Sequence, residues 1–385
     1  MGINRRRSAR PGMTRREFLA RSGALGVAGL SLPALLAACG GGSDSGGGSL
    51  LFDNWPLYID PTEDDLTGSV DRFIAETGVA MRYTETYNDN DEYFAKIQPL
   101  LGNGDTIEPD LIAPTFWMAG RLINLGWVDK MPFDQMSNLG NLADNYVNPP
   151  WDPTGEYSIP WQAGMAGVAY NIDVTGRELK SVADLFDPEF KGKIGMLTEM
   201  RDTMGLILLG QGVDISSVTS FDQAAGAFDQ LAKAKADGQI RAFTGNDYID
   251  DLVSGNYAAC VGWSGDVLQL GKDAPNVRFI IPEEGGTLWS DVMVMPKGAK
   301  NVDAVAKWLD FVYDPVQAAQ ITAFVQYLSP VKGVQEELAK IDPELAESTL
   351  VFPDDAMRAR LKSWANLSED VDAQFADAFS KITGA

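Results

Sequence analysis

From Leu50 onward, short runs rich in β-branched and aromatic residues alternate with segments of helical periodicity, and this alternation restricts the fold more than any other property of the chain. The runs Leu50 to Asn54, Ala80 to Thr86 and Asp110 to Pro114 are separated by amphipathic stretches from Thr67 to Thr77 and from Asp91 to Leu101, giving a β-α-β-α-β opening. Parallel neighbouring strands need a crossover of that kind, so the expected architecture is α/β with a mainly parallel sheet. Gly78, just past the first helical stretch, suits the left-handed position beyond a helix end. Further strands are expected at Met165 to Asn171, Lys193 to Leu197, Ala258 to Trp263, Val277 to Ile281 and Asp291 to Met295. Helices are expected from Met204 to Leu209, Phe221 to Ala236 and Asp303 to Tyr313.

A chain of 385 residues exceeds what one core holds, so two lobes follow. No internal repeat is visible, and no low-complexity tract interrupts the chain after Gly48, so the lobes should be interlaced around a cleft at the strand ends.

The sequence contains no histidine, which removes Ser-His-Asp and Cys-His catalysis, HExxH zinc sites and histidine switches together. Neither a Walker lysine loop nor GxGxxG occurs, and no enzyme activity or cofactor is expected. With 31 basic against 54 acidic residues the net charge is −23, a field that repels nucleic acid and attracts cations. Cys260, in an apolar run, is expected to be a buried thiol without a disulfide partner.

The first 38 residues read as an address. Thr14-Arg-Arg-Glu-Phe-Leu19 precedes an uncharged stretch from Ser22 to Ala38, the layout of an export signal, and it resembles a twin-arginine signal. Pro33 and three glycines make that stretch a poor permanent membrane span. Leu36-Ala-Ala-Cys39 resembles a lipobox, which implies cleavage before Cys39 and acylation of its thiol, hence an exported protein held at the membrane by lipid alone, in a periplasm or on a cell surface. Residues 39–49 then form a Gly/Ser tether. Met13 offers a second start codon that leaves the signal complete.

Aromatic side chains cluster beside the expected strand ends: Trp55 and Tyr58 after the first, Trp117 after Pro114, Trp263 at the end of another and Trp289 just before the strand from Asp291. A loop tryptophan is costly to expose unless something covers it, and aromatic faces attract cations. Acids accompany them. Glu199 and Asp202, spaced i and i+3, share one face of a helix's first turn, where they also complement the helix dipole, and Asp291 opens an apolar strand. A carboxylate pair for glycoside hydrolysis, Glu199 with Asp291, has no other feature in its favour. The run Asn88-Asp-Asn-Asp-Glu92 is read as an acidic helix start rather than a calcium loop, because Tyr93 stands where such a loop requires glycine.

Asn54-Trp-Pro-Leu-Tyr58, Pro114-Thr-Phe-Trp117, Tyr157-Ser-Ile-Pro160, Trp263-Ser-Gly265 and Gly285-Gly-Thr-Leu-Trp-Ser-Asp291 occur in an order and spacing that resembles the spermidine/putrescine-binding proteins of ABC transporters, over about 335 residues from Leu50. The resemblance implies a type II periplasmic-binding-protein fold, with lobe 1 formed by residues 50–165 and 290–335, lobe 2 by residues 166–289 and 336–385, and a hinged central cleft. It implies a monomer that captures a polyamine and passes it to permease subunits. It places Trp55, Tyr58, Thr115 and Trp117 on one wall, gives ammonium groups to Glu199, Asp202 and Asp291, stacks Trp263 and Trp289 on the methylene chain, and sets Tyr327 at the end. Leu197-Thr-Glu-Met-Arg-Asp202 matches the family's Asp-x-Arg-Glu with both acids exchanged, Pro56 replaces a hydroxyl residue, and Ala365 stands where glutamine is common. These departures bear on ligand length. A thiamine-like cation and a polyamine-sensing role are the alternatives within the same fold.

Overall fold

The computed structural model describes residues 49–63 and 66–384; the export segment, Cys39 and most of the tether lie outside the described residues. The opening forms as expected: β1 (Ser49–Asn54), a helix at Ser69–Thr77, β2 (Ala80–Glu85), a helix at Asn90–Leu101 and β3 (Leu111–Ile112), with β1 parallel to both β2 and β3. Gly78 closes the first helix at φ 70°, donating its N–H to the Ile74 carbonyl. The acidic run begins the second helix, where the Asp89 side chain caps the Glu92 N–H at 2.7 Å.

Beyond β4 (Val128–Asp129) lie β5 (Ser158–Asn171), β6 (Ile194–Leu197), β7 (Ile240–Thr244), β8 (Ala259–Trp263), β9 (Val277–Ile280), β10 (Gly286–Pro296) and β11 (Leu361–Lys362). The main path runs β2-β1-β3-β10-β5-β8-β6-β7. The sheet is mixed, which corrects the expectation of mainly parallel pairing. Its flanks are parallel, but β10 runs antiparallel to β3 and β5, and β5 antiparallel to β8 and β9. All 14 residues of β5 are buried, so the strand has no alternating pattern, and its Pro160, Gly164 and Gly167 read as punctuation although they lie inside it.

The expected helix from Phe221 to Ala236 is divided into a 3₁₀ turn at Phe221–Gln223 and a helix at Ala225–Ala236. The other two form as Met200–Gly210 and Val302–Val312. Cys260 is a fully buried free thiol, and burial pushes its pKa up. Among the described residues no helix is long and apolar enough to cross a membrane. The carboxyl ends of β1, β3, β6 and β8 lead into residues that face one cleft, and β10 crosses its floor.

Candidate functional site

The cleft spans about 690 Å³ including the open solvent at its mouth, and Trp55, Tyr58, Thr115, Trp117, Glu199, Asp202, Trp263, Trp289, Asp291 and Tyr327 all line it. The sequence-based candidates therefore converge on one place, from segments as far apart as Trp55 and Tyr327. Two of their positions differ from expectation. Trp289 lies inside β10 rather than before it, and Asp291 sits in mid-strand at an irregularity, because the register with β5 shifts between Asp291 and Val292. Asp291 pairs with Gln162 and Val292 with Pro160, so Trp161 is the extra residue of the bulge, next to a proline that has no N–H for the ladder.

Both cleft tyrosines follow strained backbone. Leu57 and Gln326 each hold φ 55°, in the left-handed region that non-glycine residues rarely enter. Each turn costs on the order of 1–3 kcal/mol and sets the next residue into the cleft. Tyr58 and Tyr327 then meet edge to face at 5.5 Å, with Trp289 at 5.3 Å from Tyr327. Two glycines make the room. A Cβ on Gly164 would lie 2.3 Å from the Trp289 ring, and one on Gly265 would lie 2.5 Å from Tyr327. Trp55 is fixed by its indole N–H, which donates to the Ala113 carbonyl at 2.8 Å.

The carboxylates are held by uncharged donors. Asp291 accepts from the Tyr58 hydroxyl at 2.8 Å and from the Thr115 hydroxyl at 2.7 Å. Asp202 accepts from the Trp263 indole at 2.8 Å and from Thr287 at 2.7 Å. Glu199 does not share Asp202's direction: standing at the cap position of the helix, it makes no capping bond there and instead accepts from the Asn90 N–H at 3.2 Å and from the Asn90 amide at 2.9 Å. Asn90 also donates to Thr115 Oγ1 at 2.9 Å, so Glu199, Asn90, Thr115 and Asp291 form one hydrogen-bonded chain.

Burial pushes the Asp291 carboxyl up to about 7, opposed by the two hydroxyl donors and reinforced by Asp202. Burial likewise raises Glu199 to about 8, against the Asn90 bond and with the nearby acids Asp202, Asp91 and Asp89 adding to the rise. Asp202 is raised for the same first reason. Arg201 eases the ionisation of Asp202, but among the described residues Asp291 and Glu199 have no cation beside them, and in this aromatic box they resist ionising at neutral pH until positive charge enters. Among the described residues no group of three or more side chains is arranged to hold a metal ion.

Asn90, Asp266 and Thr287 were not identified from the sequence as site residues. Asp266 lines the cleft and accepts from the Tyr327 hydroxyl at 3.0 Å. It stands in a helix's first turn three residues after Trp263, as Asp202 stands three after Glu199, and that spacing was the available signal. Trp364, whose neighbour Ala365 is one of the departures, also lines the cleft and donates its indole N–H to the Arg201 carbonyl at 2.8 Å.

Residues 68–353 match the family described as bacterial extracellular solute-binding protein. The chain is 24% identical over 335 residues to the spermidine/putrescine-binding periplasmic protein of Salmonella typhimurium, covering 87% of this chain and 91% of that one. It is 28% identical over 334 residues to a putrescine/cadaverine-binding protein of Pseudomonas aeruginosa, covering 83% and 89%. Among solved structures it resembles a spermidine/putrescine ABC transporter substrate-binding protein from Streptococcus pneumoniae, with a TM-score of 0.71 at 25% identity over 88% of this chain and 99% of that one. A putative spermidine/putrescine ABC transporter from Listeria monocytogenes gives a TM-score of 0.75 at 24% identity, over 87% and 98%.

Two outcomes follow from the geometry. A carboxyl raised in the folded state stabilises below its unfolded pKa, and that contribution is lost as pH rises through the folded value, here from about 4 to about 7. In urea titrations of the empty protein Asp291→Asn should therefore be more stable than the native chain at pH 8, by on the order of 2–4 kcal/mol, with the gain much smaller at pH 5; equal gains at both would show that the Asp291 charge is not strained. Gly164→Ala should destabilise by about 1–3 kcal/mol and alter tryptophan emission, because Trp289 must move; a silent substitution would remove Gly164 from the support of the site.

Proposed function

Because the chain belongs to the bacterial extracellular solute-binding protein family, we propose that it captures a polyamine, spermidine or putrescine, and delivers it to an ABC permease. The observation that carries this reading is Asp291: a buried acid at the centre of an aromatic box, with both oxygens on neutral donors and no positive charge supplied by them. An alkyl diammonium provides what such a site lacks, acids meeting its ends and aromatic faces its methylenes. The names carried by relatives in Salmonella typhimurium and Pseudomonas aeruginosa favour the same ligand class.

In this reading Tyr58, Asp291 and Thr115 hold one ammonium, and Glu199 with Asp202 another. Trp55, Trp263 and Trp289 flank the chain between them, and Tyr327 closes the end. The two lobes, residues 50–165 with 290–335 and residues 166–289 with 336–385, exchange chain within β5, within β10 and again inside the helix Val334–Ile341, and the two long strands would carry the hinge. Ligand would favour the closed population by its differential affinity. Export by the twin-arginine route and acylation at Cys39 would keep the protein tethered outside the cytoplasmic membrane, within reach of the permease.

Calorimetric titration of the chain with putrescine, spermidine, spermine and thiamine tests the proposal. One polyamine should bind in the micromolar range or tighter, and Asp291→Ala should weaken it at least about tenfold, roughly 1.4 kcal/mol. An unchanged affinity in that variant would sink the assigned site, and thiamine binding alone would sink the ligand class.

A further inference from the structure

Arg201 is the one basic side chain among the described residues lining the cleft, and in sequence it adjoins Asp202 and lies two residues after Glu199. It is buried, at 8% exposure. Its guanidinium carbon lies 4.1 Å from the centroid of the Trp117 ring, and Nη2 donates to Asp372 Oδ1 at 2.6 Å. Its own carbonyl is fixed by the Trp364 indole at 2.8 Å. A planar guanidinium held between an aromatic face and a carboxylate, on a main chain that is itself fixed, has little freedom to move aside.

An aromatic face that already carries a cation is closed to a second, because like charges a few ångströms apart repel in a site from which water is excluded. The Trp117 face on which Arg201 rests is therefore not open to a ligand ammonium, unlike Tyr58, Trp263 and Trp289, whose contacts are with neutral partners or acids. Asp372, on the C-terminal helix Glu369–Thr383, pairs with the arginine, so the pair does not form an anion receptor either. What remains is a fixed positive plug on the cleft wall, beside Asp202, whose ionised form its charge favours.

We propose that Arg201, held by Trp117 and Asp372, is the residue that sets how long a cationic ligand the cleft accepts, ending the run of ammonium positions at Trp117. The assignment rests on the polyamine reading and makes it more specific: a short amine fits before the plug, and an amine with further charged nitrogens meets the guanidinium. It also changes the role of Trp117, from a wall against the ligand to a clamp on the plug.

The test is the ratio of spermine to putrescine affinity, measured by calorimetry on the full chain, on Arg201→Gln and on Asp372→Asn, with near-ultraviolet circular dichroism as the check on folding. Arg201→Gln should shift the ratio toward the tetraamine by about tenfold or more, and Asp372→Asn, which leaves the charge uncompensated, toward the diamine by about threefold. An Arg201→Gln protein that folds and alters both affinities equally overturns the assignment, since a purely structural arginine would act that way. Where Arg201→Gln does not fold, Asp372→Asn decides: a ratio unchanged or moved toward spermine overturns it. Failure of the native chain to bind either amine overturns the polyamine reading as well, whereas binding with an invariant ratio overturns the length assignment alone.

Discussion

Everything distinctive about the cleft depends on burying carboxylates under donors that carry no charge. Asp291 lies beneath Tyr58 and Thr115, Asp202 beneath Trp263 and Thr287, and Glu199 against Asn90. Such donors orient an acid without neutralising it, and among the described residues only Asp202 has a cation nearby, Arg201, so Asp291 and Glu199 are left short of the charge they would need to ionise comfortably. In a solute-binding protein that shortage is useful. It makes the empty cleft a poor place for water-separated anions and a good one for a cation, and it links occupancy to protonation.

The supporting structure concentrates its irregularities around these acids. Leu57 and Gln326 accept left-handed backbone immediately before Tyr58 and Tyr327, the β10–β5 register slips at Asp291, and Gly164 gives up a side chain so that Trp289 can lie against β5. Each is a local cost of a kind that persists where the surroundings over-determine it. Their coincidence at one cleft ties folding energetics to the site rather than to the scaffold.

The parallel opening was legible in the sequence because its strands and crossover helices keep separate periodicities. The antiparallel centre was not: β5 is covered on both faces, so nothing alternates, and Pro160, Gly164 and Gly167 look like breaks in a strand that continues through them. The site was legible where a residue is costly unless covered, as with Trp55, Trp117, Trp263 and Trp289. It was less so where a polar residue has an ordinary role nearby. Asn90 sits in an acidic helix start, Thr287 inside a glycine-flanked run, and Asp266 one residue past a recognised motif. Glu199 and Asp202 were found by spacing, but spacing could not tell that their carboxyls point to different partners.

The central claim is that at neutral pH the cleft acids Asp291 and Glu199 become fully charged only when a cation arrives, and proton counting tests it most directly. Titrating a polyamine into the protein at pH 7 in buffers of different ionisation enthalpy gives the protons exchanged on binding. With Asp291 near 7 and Glu199 near 8 in the empty cleft, linkage calls for release of about one proton per ligand at pH 7, falling toward none at pH 9. Binding with no proton release at pH 7 would contradict the account, because it would mean that the acids are already ionised in the empty cleft.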